Sequence, residues 1–193
     1  MNASELRLDA RHTALVLIDL QSGIAAMPVQ PRSAASVLAN ARLLADRFRA
    51  MDALVVLVKV AFPGGPGALR PVTDAGRAQP STEPAGWSEL CPELGAQASD
   101  LVIVKRQWGA FYGTELDLQL RRRGIETIVL GGIATHIGVE STARDAFERG
   151  YQQIFVEDAM SDLHAETHAI TCRTIFPRIG RIRSTEQVLA ALT

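Results

Sequence analysis

The feature that most constrains this chain is an alternation between short apolar runs and longer segments with helical periodicity. Short, wholly apolar runs are typical of strands that are buried on both faces, and such strands occur in parallel sheets. The segments between them are long enough to hold the crossover helices that parallel strands need. The sequence therefore predicts an α/β fold: one domain over residues 1–193, a Rossmann-like three-layer sandwich with a six-stranded, mostly parallel sheet.

The predicted elements follow from this periodicity. Between residues 33 and 51, Val37, Ala41 and Leu44 lie on one apolar stripe of a helix. Gly124 and Gly150 are expected to end two further helices in the left-handed conformation. Strands are predicted at 13–19, 54–61, 101–105, 127–130, 153–157 and 178–183, and helices at 33–51, 114–123, 136–149, 165–175 and 185–192.

The segment 62–99 interrupts this pattern. It loses periodicity and collects glycine and proline before Trp87 and Cys91. Loops of this length inside one domain are usually functional, so we expect an ordered excursion near the active site.

Charge and cysteine content exclude several classes of protein. The formal net charge is -1, and the short run 121–123 is the densest group of basic residues, so no nucleic-acid partner is expected. Two cysteines, Cys91 and Cys172, without paired spacing suit a reducing compartment. No apolar run approaches the ~18 residues of a membrane span. These features predict a cytoplasmic protein that acts on a small molecule and has no membrane partner.

Ligands of open α/β sheets bind outside the carboxyl ends of the strands, so the last residue of each predicted strand is informative. Asp19 and Lys105 each end an apolar run. A buried carboxylate needs a partner, so the simplest arrangement pairs the two across adjacent strand ends and lets the aspartate exchange protons with a substrate. The alternative is that each side chain faces water.

A third candidate element follows the strand predicted at 127–130. The start of the next helix presents unpaired backbone N–H groups, so the amides near Ala134 and Gly138 can bind an oxyanion or a carboxylate. The pair Gly131 and Gly132 is by itself weaker evidence, because paired glycines more often form a tight turn.

Three segments carry a resemblance to a known family: ALVLIDLQSGI at 14–24, VIVKRQWGAFYGTELDLQLRRRG at 102–124 and GGIATHIGVESTARDAFERGYQQIFVEDAMSD at 131–162. They resemble the isochorismatase-like cysteine hydrolases. The resemblance implies that Asp19 is the general acid/base and Lys105 its partner. It also implies a non-proline cis peptide between Ile133 and Ala134, whose amide joins that of residue 138 in an oxyanion hole.

The sequence departs from the amidase members of that family at the nucleophile, where Gly138 replaces a cysteine. Glycine cannot form a thioester, so covalent catalysis requires another side chain. Cys91, Thr135 and Ser141 are the candidates. The stretch 136–138 instead resembles isochorismatases, which cleave a vinyl ether by protonation and water attack. In that interpretation Asp19 donates the proton and a water fills the space of the thiol.

Six side chains are predicted to bind substrate near this centre, although the aromatic ones are equally typical of a core or of a subunit interface. They are Gln21, Trp108, Phe111, Tyr112, Thr135 and His136. The family resemblance further implies a homodimer or a homotetramer.

The sequence gives little support for a metal site. His164 and His168 have the spacing of a helical zinc pair, but no third ligand is evident, so an exposed helix face is expected. Residues 50–100 hold no histidine, unlike the metal-dependent nicotinamidases, and Cys172 is expected to lie in the core. The sequence thus predicts a hydrolase without metal or cofactor for a small carboxylate or vinyl ether. The alternatives are an inactive binding or scaffold member and an amidase with another nucleophile.

Overall fold

The computed structural model describes residues 6–62, 69, 71–74, 76–77 and 83–193. The strands are β1 (Thr13–Ile18), β2 (Leu54–Val60), β3 (Val72–Thr73), β4 (Gly76–Arg77), β5 (Leu101–Lys105), β6 (Thr127–Ile133), β7 (Gln152–Ser161) and β8 (Arg181–Arg183). Six of them form a parallel sheet in the order β5-β2-β1-β6-β7-β8, and β3 and β4 pair as a separate antiparallel hairpin.

Helices pack on both faces of this sheet. They are α1 (Ser22–Ala25), α2 (Ala34–Ala50), α3 (Leu116–Arg122), α4 (Glu140–Glu148), α5 (Ala165–Ile170), α6 (Phe176–Ile179) and α7 (Thr185–Ala191). Two π-helical turns, Thr135–Val139 and Thr171–Ile175, precede α4 and α6, and 3-10 turns occupy Ala10–His12 and Pro92–Leu94.

The core divides into two apolar layers, one on each side of the sheet. Phe48 of α2 and Val188 of α7 are buried in the first layer, and Leu120 of α3 and Phe176 of α6 are buried in the second. All six residues of β1 are buried, because this central strand is covered on both faces. The predicted α/β three-layer fold with six parallel strands is confirmed.

The strand order places a topological switch point at β1. The chain runs outward from β1 through β2 to β5 and then returns to β6 on the other side of β1. In open α/β sheets the crevice at such a point, outside the carboxyl ends of the strands, is where ligands bind. The residues that follow β1, β5 and β6 therefore border the candidate site.

The glycine pair after residue 130 lies within β6, so the predicted turn at this position is wrong. A Cβ at Gly131 would meet the backbone oxygen of Ala159 at 3.0 Å, and one at Gly132 would meet that of Ile18 at 2.1 Å. The glycines thus allow neighbouring strands to approach closely. The strand predicted at 153–157 is also longer than expected and runs to Ser161.

The predicted strand at 178–183 is wrong over its first half. After the π turn, the helical path continues through α6 to Ile179, because Pro177 is tolerated in the first turn of a helix. Only Arg181–Arg183 pairs with β7.

The long segment 62–99 is described in part, and most of residues 63–82 lie outside the described residues. Its last part packs along the chain that follows β1. Gly23 N donates to Trp87 O at 2.9 Å, and Cys91 N donates to Leu20 O at 3.1 Å. This part of the excursion therefore borders the switch point. Within the described residues, no helix is both long and apolar enough to cross a membrane.

Candidate active site

Asp19 and Lys105 form a buried ion pair at the switch point. Asp19 Oδ2 lies 2.7 Å from Lys105 Nζ, and both residues are nearly inaccessible to solvent. The predicted pairing therefore occurs, but the strands are not adjacent, because β2 lies between β1 and β5. The long lysine side chain is what spans this strand.

The backbone after β5 completes the coordination of the ammonium group. Lys105 Nζ donates to Trp108 O at 2.7 Å and to Gln107 O at 3.2 Å, in addition to its contact with Asp19. An ammonium group has three hydrogens to donate, and all three are used. The turn thus holds the lysine side chain in place beside the carboxylate.

Asp19 is held in an unusual position for a carboxylate. Its backbone is left-handed, with φ of 54°, and its N–H donates to Val58 O at 2.8 Å. Burial raises the pKa of Asp19 to about 6, while the charge of Lys105 and the hydrogen bond from it act in the opposite direction. Its second oxygen, Oδ1, is buried and has no hydrogen-bond partner within the described part of the chain. This oxygen is available to a proton or a ligand.

Gly138 lies directly against the ion pair. A Cβ built on this residue would be 2.9 Å from Asp19 Oδ2, 2.9 Å from Ile18 Cγ2 and 3.4 Å from Lys105 Nζ. Contacts below 3.0 Å are not tolerated without movement, so the absence of a side chain allows this packing. Position 138 therefore faces the acid-base pair and contributes only backbone to it.

The chain that leads to Gly138 has the predicted cis peptide between Ile133 and Ala134. The predicted helix 136–149 begins differently from expectation, because a π turn over Thr135–Val139 precedes α4. In this turn Val139 N donates to Ala134 O at 3.2 Å, a five-residue spacing. Such turns are rare and occur frequently at functional sites. The oxyanion role of the amides at Ala134 and Gly138 stays a prediction.

His136 is oriented by an aspartate that sequence reasoning missed. Its Nδ1 lies 2.6 Å from Asp162 Oδ1, and its backbone N–H donates to Asp162 Oδ2 at 2.8 Å. Asp162 is fully buried, whereas about a third of the His136 side chain is exposed. A signal was available, because Asp162 follows a strand in the same way that Asp19 follows β1.

Thr135 has a fully buried hydroxyl that is already bonded on both sides. Its Oγ1 donates to Ser161 O at 3.0 Å and lies 2.8 Å from His168 Nδ1. These contacts leave it no free direction toward a substrate, and they connect the π turn to α5.

Two of the predicted substrate contacts lie inside the structure. Gln21 is fully buried and bonds the end of β2, with Nε2 donating to Val60 O at 3.0 Å and Oε1 accepting from Val60 N at 2.8 Å. Phe111 is also buried and stacks on Tyr151 with ring centroids 5.9 Å apart. Neither side chain presents a free surface to a small molecule.

Trp108 and Tyr112 point outward. Their exposed fractions are 57% and 63%, and they line a cavity of about 670 Å³ with Ser141 and Asp145. The described lining of this cavity does not include Asp19. The two aromatic rings therefore lie on a neighbouring surface, and Trp108 reaches the ion pair through its carbonyl group.

The cysteines and histidines that the sequence offered as further candidates differ in burial. Cys91 is buried beside an apolar cavity that it shares with Leu38 of α2, and burial raises the pKa of its thiol. His164 is exposed, but His168 is buried, so the expectation of an exposed face is wrong for His168. Cys172 is buried as expected, one helical turn from His168.

Comparison with known proteins gives one consistent result. The family model described as the isochorismatase domain matches residues 13–187. The chain is 55% identical to the uncharacterised isochorismatase family protein YwoC of Bacillus subtilis, covering 95% of this chain and 96% of that protein. It is 33% identical to the ureidoacrylate amidohydrolase RutB of Variovorax paradoxus, covering 82% and 72%. The structure of an isochorismatase family protein from Burkholderia thailandensis is 44% identical, with a TM-score of 0.92 and coverage of 97% and 98%.

Proposed function

Because this chain belongs to the isochorismatase family of hydrolases, we propose that it hydrolyses a small vinyl ether or carboxylate substrate without a covalent intermediate. Asp19 is the general acid, and Lys105 holds and orients it. Gly138 leaves room at the position where amidase relatives have a nucleophile.

The observation that carries the proposal is the environment of Asp19. The carboxyl group is buried, its pKa is raised to about 6, and its Oδ1 has no partner among the described residues. A general acid works best when its pKa lies near the working pH. The acid form must be populated at that pH, and its proton must also be acidic enough to be transferred to the substrate. Asp19 meets this requirement close to neutrality.

Hydrolysis of a vinyl ether at this centre uses the proton of Asp19 and one water molecule. Asp19 transfers its proton to the terminal carbon of the double bond, which leaves an oxocarbenium centre at the next carbon. Water adds to that centre and returns a proton to Asp19. The resulting hemiketal transfers its hydroxyl proton to the ether oxygen and breaks the C–O bond, giving a ketone and an alcohol. In this proposal, the amides near Ala134 and Gly138 bind a substrate carboxylate.

Amide hydrolysis is the second candidate, since one relative carries the name of an amidohydrolase. It needs a nucleophile beside Asp19, and position 138 offers none. The Thr135 hydroxyl is already bonded on both sides, and burial raises the pKa of the Cys91 thiol, which disfavours its thiolate. These contacts favour the noncovalent route.

The test is turnover of isochorismate, followed by release of pyruvate, by the native protein and by Asp19→Asn. We expect the variant to lose about 10²- to 10⁴-fold in kcat/KM, the usual contribution of a general acid. Asp46→Asn on α2, at a half-exposed carboxylate, is the matched control and should keep full activity. Circular dichroism must show that both variants are folded.

The outcomes separate the candidates. Turnover that survives in Asp19→Asn contradicts the role of the acid. Absence of turnover with isochorismate in the native protein, together with hydrolysis of a ureido or carbamoyl amide, supports the amidase candidate. Binding without any turnover across both classes supports the noncatalytic alternative.

The pH dependence follows from the same group. Asp19 must be protonated to act as an acid, and its pKa is raised to about 6. We therefore expect kcat/KM to fall as the pH rises through about 6. A rate that instead increases through this range would assign Asp19 the role of a base.

Assembly and location complete the proposal. We expect a cytoplasmic homodimer or homotetramer that buries the exposed surface of Trp108 and Tyr112. Light scattering on the native protein and on Trp108→Asp tests this assembly, and an unchanged mass in the variant would contradict the assigned surface.

A further inference from the structure

A second polar cluster contacts Thr135 through His168, and it joins two buried side chains to one that is half-exposed. It consists of Glu157 on β7, His168 on α5 and Cys172 in the π turn Thr171–Ile175. One carboxylate oxygen, one imidazole nitrogen and one sulfur of these residues all lie within 4.8 Å of one another. Three different donor types therefore converge on one point.

Hydrogen bonding determines which nitrogen of His168 faces this point. The hydroxyl of Thr135 contacts both Ser161 O and His168 Nδ1, and a carbonyl oxygen can only accept. The single proton of Thr135 therefore goes to Ser161, and His168 Nδ1–H donates to Thr135 Oγ1. Nε2 is left with its lone pair toward Cys172 Sγ at 3.8 Å and Glu157 Oε1 at 3.9 Å.

This arrangement is the one that metal-binding histidines use. A metal-bound imidazole almost always donates its other N–H to a protein oxygen, which fixes the tautomer and the ring orientation. With its proton on Nδ1, the ring offers the lone pair of Nε2 to a cation. Thr135 acts here as a positioning residue.

The separations fit a small tetrahedral ion. Bond lengths of about 2.0 to 2.3 Å to zinc place neighbouring ligand atoms roughly 3.3 to 3.8 Å apart. The distances from His168 Nε2 to Cys172 Sγ, 3.8 Å, and to Glu157 Oε1, 3.9 Å, require a slight contraction, and the third pair of ligand atoms lies within 4.8 Å. A sulfur, an imidazole and a carboxylate together favour zinc over the harder ions magnesium and calcium.

We propose that Glu157, His168 and Cys172 bind a zinc ion. The Cys172 thiol releases its proton to the solvent as the Zn–S bond forms. The fourth coordination position faces a cavity of about 630 Å³ and is filled by water or a small anion.

The surrounding charges are compatible with a divalent ion. Arg32 and Arg173 line the same cavity, while Asp162 and Glu157 lie close enough to act on Cys172 electrostatically. The two negative ligands formed by Glu157 and the Cys172 thiolate balance the charge of the ion. The remaining arginines favour an anion, rather than a further cation, at the fourth position.

Cobalt(II) is the probe, because it replaces zinc and reports its ligands by its absorption spectrum. We expect the native protein, treated with chelator and then titrated with Co²⁺, to show tetrahedral d–d bands and a thiolate-to-cobalt charge-transfer band. Zn²⁺ should displace the cobalt with one-to-one stoichiometry. Cys172→Ser should abolish the charge-transfer band, and Cys91→Ser, at the other buried cysteine, should leave it intact.

Two further variants separate coordination from folding. Glu157→Gln changes a half-exposed side chain and should weaken zinc binding by roughly tenfold or more. Thr135→Val removes the partner of His168 Nδ1 and should weaken it about 10- to 100-fold, because the ring loses its orientation.

Absence of the charge-transfer band in the native protein overturns the proposal. So does a band that persists in Cys172→Ser, or zinc affinity that is unchanged in Glu157→Gln. None of these readouts depends on turnover, so failure here leaves the role of Asp19 unaffected.

Discussion

The two polar centres of this protein are built in opposite ways, and they also differ in burial, because the ion pair is closed off from solvent whereas Glu157 of the second centre is half-exposed. At the end of β1, a carboxylate and an ammonium group contact each other at 2.7 Å, so the positive charge is supplied by the chain itself. In the cluster of Glu157, His168 and Cys172, three electron-pair donors face one another without a cation from any of these three residues.

This difference separates two kinds of chemistry. A carboxylate that already has a cation can gain and lose a proton, because the ammonium group stabilises the charged form while burial stabilises the neutral form. A set of three electron-pair donors, none of which brings a cation, is suited to receive a metal ion. The first centre is therefore equipped for acid-base catalysis and the second for coordination.

The strongest test of this comparison removes the cation from the first centre. In Lys105→Met, only burial acts on Asp19, so its pKa should rise further above about 6. The loss of an opposite charge at this distance moves a pKa by about one to three units. The falling limb of kcat/KM should move to higher pH by the same amount, as measured in a pH profile. A limb that stays in place would show that Lys105 does not control Asp19.

The second centre is tested by adding zinc and measuring the thermal stability of the protein. Zinc at 100 times its dissociation constant should stabilise the protein by about 2.7 kcal/mol. For a chain of this size, that corresponds to a rise in Tm of about 5 to 10 °C. Differential scanning fluorimetry with zinc or with chelator measures it. Asp19→Asn should retain the shift and His168→Gln should lose it; equal shifts in both variants would contradict the separation of the two centres.

A smaller effect is expected where the first centre contacts bare backbone. Gly138→Ala places a methyl group 2.9 Å from Asp19 Oδ2 and Ile18 Cγ2. Overpacking of this kind costs about 1 to 3 kcal/mol in the free energy of unfolding, measured in urea. Gly109→Ala is the control, because its new methyl would lie 3.2 Å from Asp145 Oδ2, which can rotate away, and in ordinary contact with Ser141 O at 3.6 Å. Equal costs would show that the site has room for a side chain.

The smallest effect is expected outside both centres. Trp108 holds Lys105 through its carbonyl group, while 57% of the residue is exposed. Trp108→Ala should change the free energy of unfolding by less than about 0.5 kcal/mol, as is usual at the surface. Native protein and variant should both be unfolded at a concentration low enough for both to be monomeric. The measured difference then contains no contribution from subunit dissociation. A much larger decrease in the free energy of unfolding would show that the Trp108 ring packs against other side chains of its own subunit.

The sequence predicted the fold well because apolar runs report burial directly. It located Asp19 and Lys105, since a charged residue at the end of a buried run must find a partner. It misjudged their strands as neighbours, because periodicity does not reveal strand order and a lysine can span an intervening strand. Gly131 and Gly132 were read as a turn, although close strand approach also requires glycine.

Side chains that meet from distant parts of the chain were harder to predict. Phe111 follows Lys105 closely in the sequence, but its ring packs against Tyr151 in the core. Asp162 and the cluster around His168 join elements that lie far apart in sequence, so spacing alone does not bring them together. The π turn Thr135–Val139 contacts both Asp162 and His168. A sequence pattern based on 3.6 residues per turn does not detect such a turn.

The bare backbone at residue 138 has a consequence for oxidative stress. Enzymes that depend on a thiolate lose activity when peroxide converts it to a sulfenic or sulfinic acid. The centre formed by Asp19, Lys105 and Gly138 contains no sulfur, and the two cysteines of the chain lie elsewhere. Hydrogen peroxide and thiol-specific reagents have no sulfur to modify at this centre. Such reagents would inactivate cysteine-dependent relatives and leave this centre intact.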